Sequence, residues 1–128
     1  MTKISKGRYV DGFVIPVPKR NTAKYKKMAQ EACRVWKKFG ALDYKECIIV
    51  SVRPDKAVTL TFPKMARVRS GETVWFSYIV YRSRQHRNAV TKKVMSYFAT
   101  KYGKNSMMSM PFDMKRFAYG GFKVMVSS

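Results

Sequence analysis

Acidic residues are scarce in this chain: seven Asp and Glu stand against 27 Lys and Arg, a net charge of +20. Such a surface repels itself in the compact state and attracts polyanions by releasing their counterions. Contact with RNA, DNA or an anionic membrane is one reading of it. A solvated surface typical of a generally basic lineage is the other. Histidine is scarcer still, with His86 alone, which excludes a metal site needing two imidazoles from one chain. Two cysteines, Cys33 and Cys47, are too few for a disulfide framework. On a predicted helix and a predicted strand they read as small hydrophobes in a reducing, cytoplasmic compartment. Long apolar runs are also missing, so a soluble, non-exported protein without a membrane partner is expected. No nucleotide-binding glycine loop, nucleophile elbow, HExxH or paired CxxC occurs, and Gly120-Gly121 has no helix after it to hold a phosphate. No cofactor and no metal are expected.

What the chain does have is hydrophobic and aromatic substance. At 128 residues, 46% hydrophobic and 14% aromatic, it suits one folded domain spanning 1–128, with residues 1–7 as a disordered head. Tyr9–Val17 sets Tyr9, Phe13, Ile15 and Val17 on one side and Val10 and Val14 on the other. Thr73–Tyr81 sets Val74, Phe76, Tyr78 and Val80 against Trp75, Ile79 and Tyr81, and Phe117–Val126 is apolar on both sides as well. A strand with one face in water would alternate apolar with polar. These strands need two covers. A chain of this length builds one helical layer, so the second cover is another subunit.

Asn21 or Thr22 caps a helix running to Phe39 with Gly40 as its stop, and an apolar stripe passes through Tyr25, Met28, Ala29, Ala32, Val35, Trp36 and Phe39. Ala41–Val52 reads as a second strand. A connection follows, with a short extended VTLTFP and a helical turn at Lys64–Val68. Ser83 caps a second long helix with the stripe His86, Ala89, Val90, Lys93, Val94, Tyr97 and Phe98, ending near Gly103. A Met- and Ser-rich loop, Asn105–Met110, leads to the last strand. The order is βαββαβ, the ferredoxin-like arrangement of the α+β class. Right-handed crossovers put two helices on one face of a four-stranded antiparallel sheet, and pairing two open faces makes a dimeric α/β barrel.

Several stretches are similar to a known family: YVDGFVIPVP (Tyr9–Pro18), Phe39–Leu42, Glu46-Cys47, VWFSYIVY (Val74–Tyr81), SRQHR (Ser83–Arg87) and MPFDMKRFAYGGF (Met110–Phe122). Together they resemble the YbaA-like family, small bacterial proteins related to the dimeric α/β-barrel superfamily. The resemblance covers Tyr9 to Val126 and implies a ferredoxin-like fold and a homodimer, with no established activity. Met114 stands where the family commonly has Gly, and Arg82 where it commonly has Pro. Acidic family positions are often Lys or Arg here, so the basicity belongs to this chain more than to the family.

Two functional readings follow. The first is a small-molecule pocket between sheet and helices, with Asp11, Ser77, His86, Arg116 and Tyr119 as ligand-binding candidates, and His86 and Asp11 as candidates for proton transfer. Each has a plain structural alternative. His86 can be a hydrogen-bonded helix-start residue, and Asp11, costly to bury unless paired, can be held by Arg116, Lys115 or Arg82. Whether the protein is an enzyme stays open. The second reading is electrostatic RNA binding by Lys24, Lys27, Arg34 and Lys38 on the first helix, with Arg53, Lys64, Arg67 and Arg69 on the connection. Interleaved aromatics and cations resemble sheets that stack bases, but the match to such motifs is poor and a dimer would hide that face.

Overall fold

The computed structural model describes residues 8–103 and 110–128. The expected disordered head (1–7) and most of the stretch 105–110 lie outside the described residues. Four strands, β1 (Tyr9–Pro18), β2 (Asp43–Ile48), β3 (Glu72–Tyr81) and β4 (Ala118–Lys123), form one antiparallel sheet in the order β2-β3-β1-β4. Between them run α1 (Thr22–Lys38), a four-residue helix α2 (Phe62–Met65) and α3 (Arg84–Tyr102). This is the ferredoxin-like α+β layout. No helix among the described residues is long and apolar enough to cross a membrane.

Strand alternation sorts the side chains. Residues Tyr9, Asp11, Phe13, Ile15 and Val17 of β1, with Trp75, Ser77, Ile79 and Tyr81 of β3, lie under the helices. One cluster there joins Ile79 and Tyr81 to Val35 of α1 and to Val90 and Val94 of α3. A second joins Ile15, Val17 and Trp75 to Tyr25 and Ala29 of α1. The other face carries Val10, Val14, Phe76, Tyr78 and Phe122. There Phe76 remains 43% exposed and Phe122 59% exposed. The Phe122 ring lies against the cross-strand pair Gly12 and Gly120, where an added Cβ would stand 3.2 Å from it. On the helical face, a Cβ on Gly121 would meet the ring and hydroxyl of Tyr9. The double glycine thus lets two aromatic rings lie flat on opposite faces of one strand.

Helix ends follow local chemistry. The Ser83 hydroxyl accepts a hydrogen bond from the His86 amide at 3.0 Å and opens α3. Gly40 and Gly103 take positive φ, +114° and +84°, just past the ends of α1 and α3. Asn21 precedes α1 but does not cap it; its amide donates instead to the Pro111 carbonyl at 3.0 Å.

Two strands are shorter than their apolar runs suggest. β2 stops at Ile48, one further bond linking Ile49 N to the Val74 carbonyl, and residues 50–60 leave the sheet and are exposed. β4 ends at Lys123, with Val124 N still bonded to the Arg8 carbonyl. The helical turn forms at Phe62–Met65 because Thr61, not a later residue, accepts the first amide, that of Lys64.

Candidate functional site

Asp11 is 2% exposed, between Tyr9 and Phe13 on the helical side of β1. A carboxylate so placed must be matched with donors. Arg87, in the first turn of α3, supplies its Nε at 2.9 Å from Oδ2. Tyr119 of β4 donates its hydroxyl to Oδ1 at 3.0 Å. Arg87 Nη2 donates to the Tyr119 oxygen at 3.1 Å, closing a triangle whose guanidinium stands 5.7 Å from the Tyr119 ring. Burial, then the bond to Asp11, raises the Tyr119 hydroxyl above its ordinary value, so it stays a donor.

Beside this triangle a cleft of about 640 Å³ opens between the start of α3 and the ends of β1 and β4. Arg8, Arg84 and Lys123 line it with Tyr9, Ser83, Tyr119 and Gly121. No carboxylate among the described residues pairs with those three cations. The reason lies in where the seven acidic side chains are used. Asp11 holds Arg87 and Tyr119, Glu31 holds Lys101 and Tyr102, and Asp43 holds Lys45. Glu72 holds Arg116 and the Arg69 amide, and Glu46 holds two tyrosines. Asp55 and Asp113 accept backbone amides in turns.

The expected ligand residues are distributed over the fold. Asp11 and Tyr119 meet, joined by Arg87 and not by Arg116, Lys115 or Arg82. His86 lies beside Gly40 with its ring centre 6.0 Å from that of Tyr81, its Nδ1 accepting the Arg82 amide at 3.0 Å. Burial first, then the Arg82 and Arg8 cations, lower its pKa from the usual 6.5. Arg116 lies elsewhere, donating to Glu72 at 2.6 Å and to the Arg67 carbonyl at 2.8 Å. Ser77 is buried near Glu46, whose carboxylate accepts the Tyr25 hydroxyl at 2.8 Å and the Tyr44 hydroxyl at 2.7 Å. Burial pushes the Glu46 carboxyl up, against the lowering effect of those hydroxyls and that of Ser77.

Sequence reasoning did not single out Arg87, Arg8, Arg84, Lys123 or Glu46. Arg87 had a signal: a lone carboxylate in an apolar strand requires a cation from the covering helix, and SRQHR begins that helix.

The cations considered for RNA fall into two groups. Lys24, Lys27, Arg34 and Lys38 are exposed on α1, with Lys38 Nζ 5.7 Å from the Phe39 ring centre and 5.6 Å from that of Tyr97. Arg53, Lys64, Arg67 and Arg69 belong to the connection that meets the opposite sheet face, where Phe62 packs on Phe76 with ring centres 6.3 Å apart. Within one chain the sheet stands between the two groups.

Comparison with known proteins adds kinship. A family described as "Protein of unknown function (DUF1428)" matches residues 8–114. "Uncharacterized protein YbaA" of Escherichia coli strain K12 is 42% identical over 120 residues, covering 93% of this chain and 97% of that protein. YbaA of Shigella flexneri gives the same identity and coverage. Among solved structures, a dimeric ferredoxin-like protein from an uncultured marine organism superposes with a TM-score of 0.52 at 10% identity, covering 93% of this chain and 94% of its own.

Proposed function

The chain belongs to the DUF1428 family, and within that family's fold we propose that it acts as a homodimer binding a small anionic molecule, a carboxylate or phosphate, beside the start of α3. The observation that carries the ligand reading is the convergence of Arg8, Arg84 and Lys123 on one cleft, with no carboxylate among the described residues to neutralise them. Three cations held close repel one another, and a bound anion relieves that repulsion. Tyr9 and Ser83 add hydroxyl donors that favour oxyanions over halide. The Asp11–Arg87–Tyr119 triangle braces the wall and is not itself the binding group, since Asp11 and Tyr119 are already bonded to each other and to Arg87. The cleft therefore offers binding chemistry, not a free base for proton transfer.

The homodimer rests on the sheet face opposite the helices, where Phe76 and Phe122 are left 43% and 59% exposed. Aromatic area of this kind on a four-stranded sheet favours burial against a partner. The marine protein of the same fold is described as dimeric. In a cytoplasmic setting, phosphorylated or carboxylated metabolites would be the available anions.

Titration calorimetry at low ionic strength with inorganic phosphate and with citrate tests the ligand reading. The wild-type chain should bind at least one of them, and R84E/K123E should weaken it by about tenfold or more, two charge reversals each contributing over about 1 kcal/mol. Equal affinity in the double variant, or no binding by the wild-type chain, overturns the proposal.

A further inference from the structure

Between β2 and β3 the chain leaves the molecule. Every residue from 50 to 60 is exposed, Val50 at 93%, Val58 at 62% and Leu60 at 63%. The segment goes out and returns around one tight turn, in which Asp55 accepts the amides of Ala57 and Val58 while the Asp55 amide donates to the Val58 carbonyl. From Ile49 to that turn its reach is up to about 20 Å. Its return limb, Val58-Thr59-Leu60-Thr61-Phe62, alternates apolar with polar as a strand does. Yet the amides of Thr59 and Leu60, like those of Val50 to Arg53, find no partner among the described residues.

A segment with a strand's pattern and no strand beside it is incomplete in one chain. We propose that residues 49–61 form an arm that packs on a second copy of this chain, a proposal that rests on the homodimer reading above. Charge selects this occupant. In a molecule of net +20, the two limbs Ile48–Val52 and Ala57–Pro63 hold no charged residue, and the arm's three charges, Arg53, Asp55 and Lys56, sit together at its tip, so the limbs offer apolar side chains and little for a polyanion to grip. Continuity selects it as well. The arm ends at Phe62, which packs on Phe76 of the open sheet face, so arm and face form one apolar surface. A second copy offers the backbone groups the arm lacks, because β2 and β4 each pair on one side only.

The variant V58D/L60D alters two exposed side chains and leaves the fold of the protomer intact. Sedimentation velocity should show its dimer dissociation constant raised by about tenfold or more, the loss of two buried aliphatic contacts per arm. Hydrogen exchange should show the amides of 50–60 protected in step with the dimer fraction. A wild-type dimer whose dissociation constant V58D/L60D leaves unmoved overturns the arm alone. A wild-type chain that stays monomeric throughout overturns the homodimer and the arm together. Native mass spectrometry that finds the arm occupied by a different protein, or by nucleic acid, also overturns it.

Discussion

Replacing Asp11 with alanine should leave Arg87 facing an apolar interior with its main partner gone. The Arg87 side chain is 25% exposed, so water relieves part of the loss, and a cost of about 2–3 kcal/mol is expected in urea unfolding. Two other residues set the pH response, with opposite signs. Burial raises the Glu46 carboxyl above its usual 4.5, so the folded state holds that proton more tightly than the unfolded chain does. Glu46 thus contributes stability that is full below about 4.5 and is lost as pH rises through the raised folded value. E46Q should flatten this limb. The folded fold favours neutral His86, whose contribution is full above 6.5 and fades as pH falls through its lowered folded value. Protonation at Nδ1 also removes the acceptor of the Arg82 amide. Thermal melts of wild type and H86Q between about pH 5 and 7 should diverge on the acid side only.

At the scale of elements, S83A should cost about 1 kcal/mol through loss of the α3 cap. Much of this level was legible beforehand. Ser83, Gly40 and Gly103 mark helix ends by chemistry that needs no tertiary context, and the apolar strand runs place β1 and β3 within a residue of their bounds. Two readings went astray for a shared reason, that apolar character does not say what lies opposite. The run through Ile49–Val52 looks like more β2, but its chain turns away from β3 after Ile49. The α3 stripe holds Val90 and Val94, which are buried, but also Ala89 and Lys93, which are exposed. Arg87 shares the buried side of α3 with Val90 and Val94 and so reaches Asp11. The cleft was beyond reach for a further reason: Arg8, Arg84 and Lys123 are far apart in sequence and meet only through the β1–β4 register.

For the molecule as a whole, F122D should abolish the dimer while leaving a folded protomer, since the ring it removes is 59% exposed and lies on two glycines. Analytical ultracentrifugation decides this, and an unchanged dimer would place the interface elsewhere. Salt should matter more than in an average protein. With a net charge of +20, screening relieves self-repulsion, so the melting temperature should rise with ionic strength. At equal ionic strength sulfate or phosphate should raise it further than chloride if the cleft fills.

Every carboxylate in the chain is tied to a neighbour, which makes the exterior chemically lopsided. A single lysine-to-glutamate change at any open position would introduce the first untethered acid on that exterior, with many cations competing to claim it. Such a newcomer would draw nearby cations to itself and relieve part of the self-repulsion, so exchanging one surface lysine for glutamate should be better tolerated here than in a protein of balanced charge.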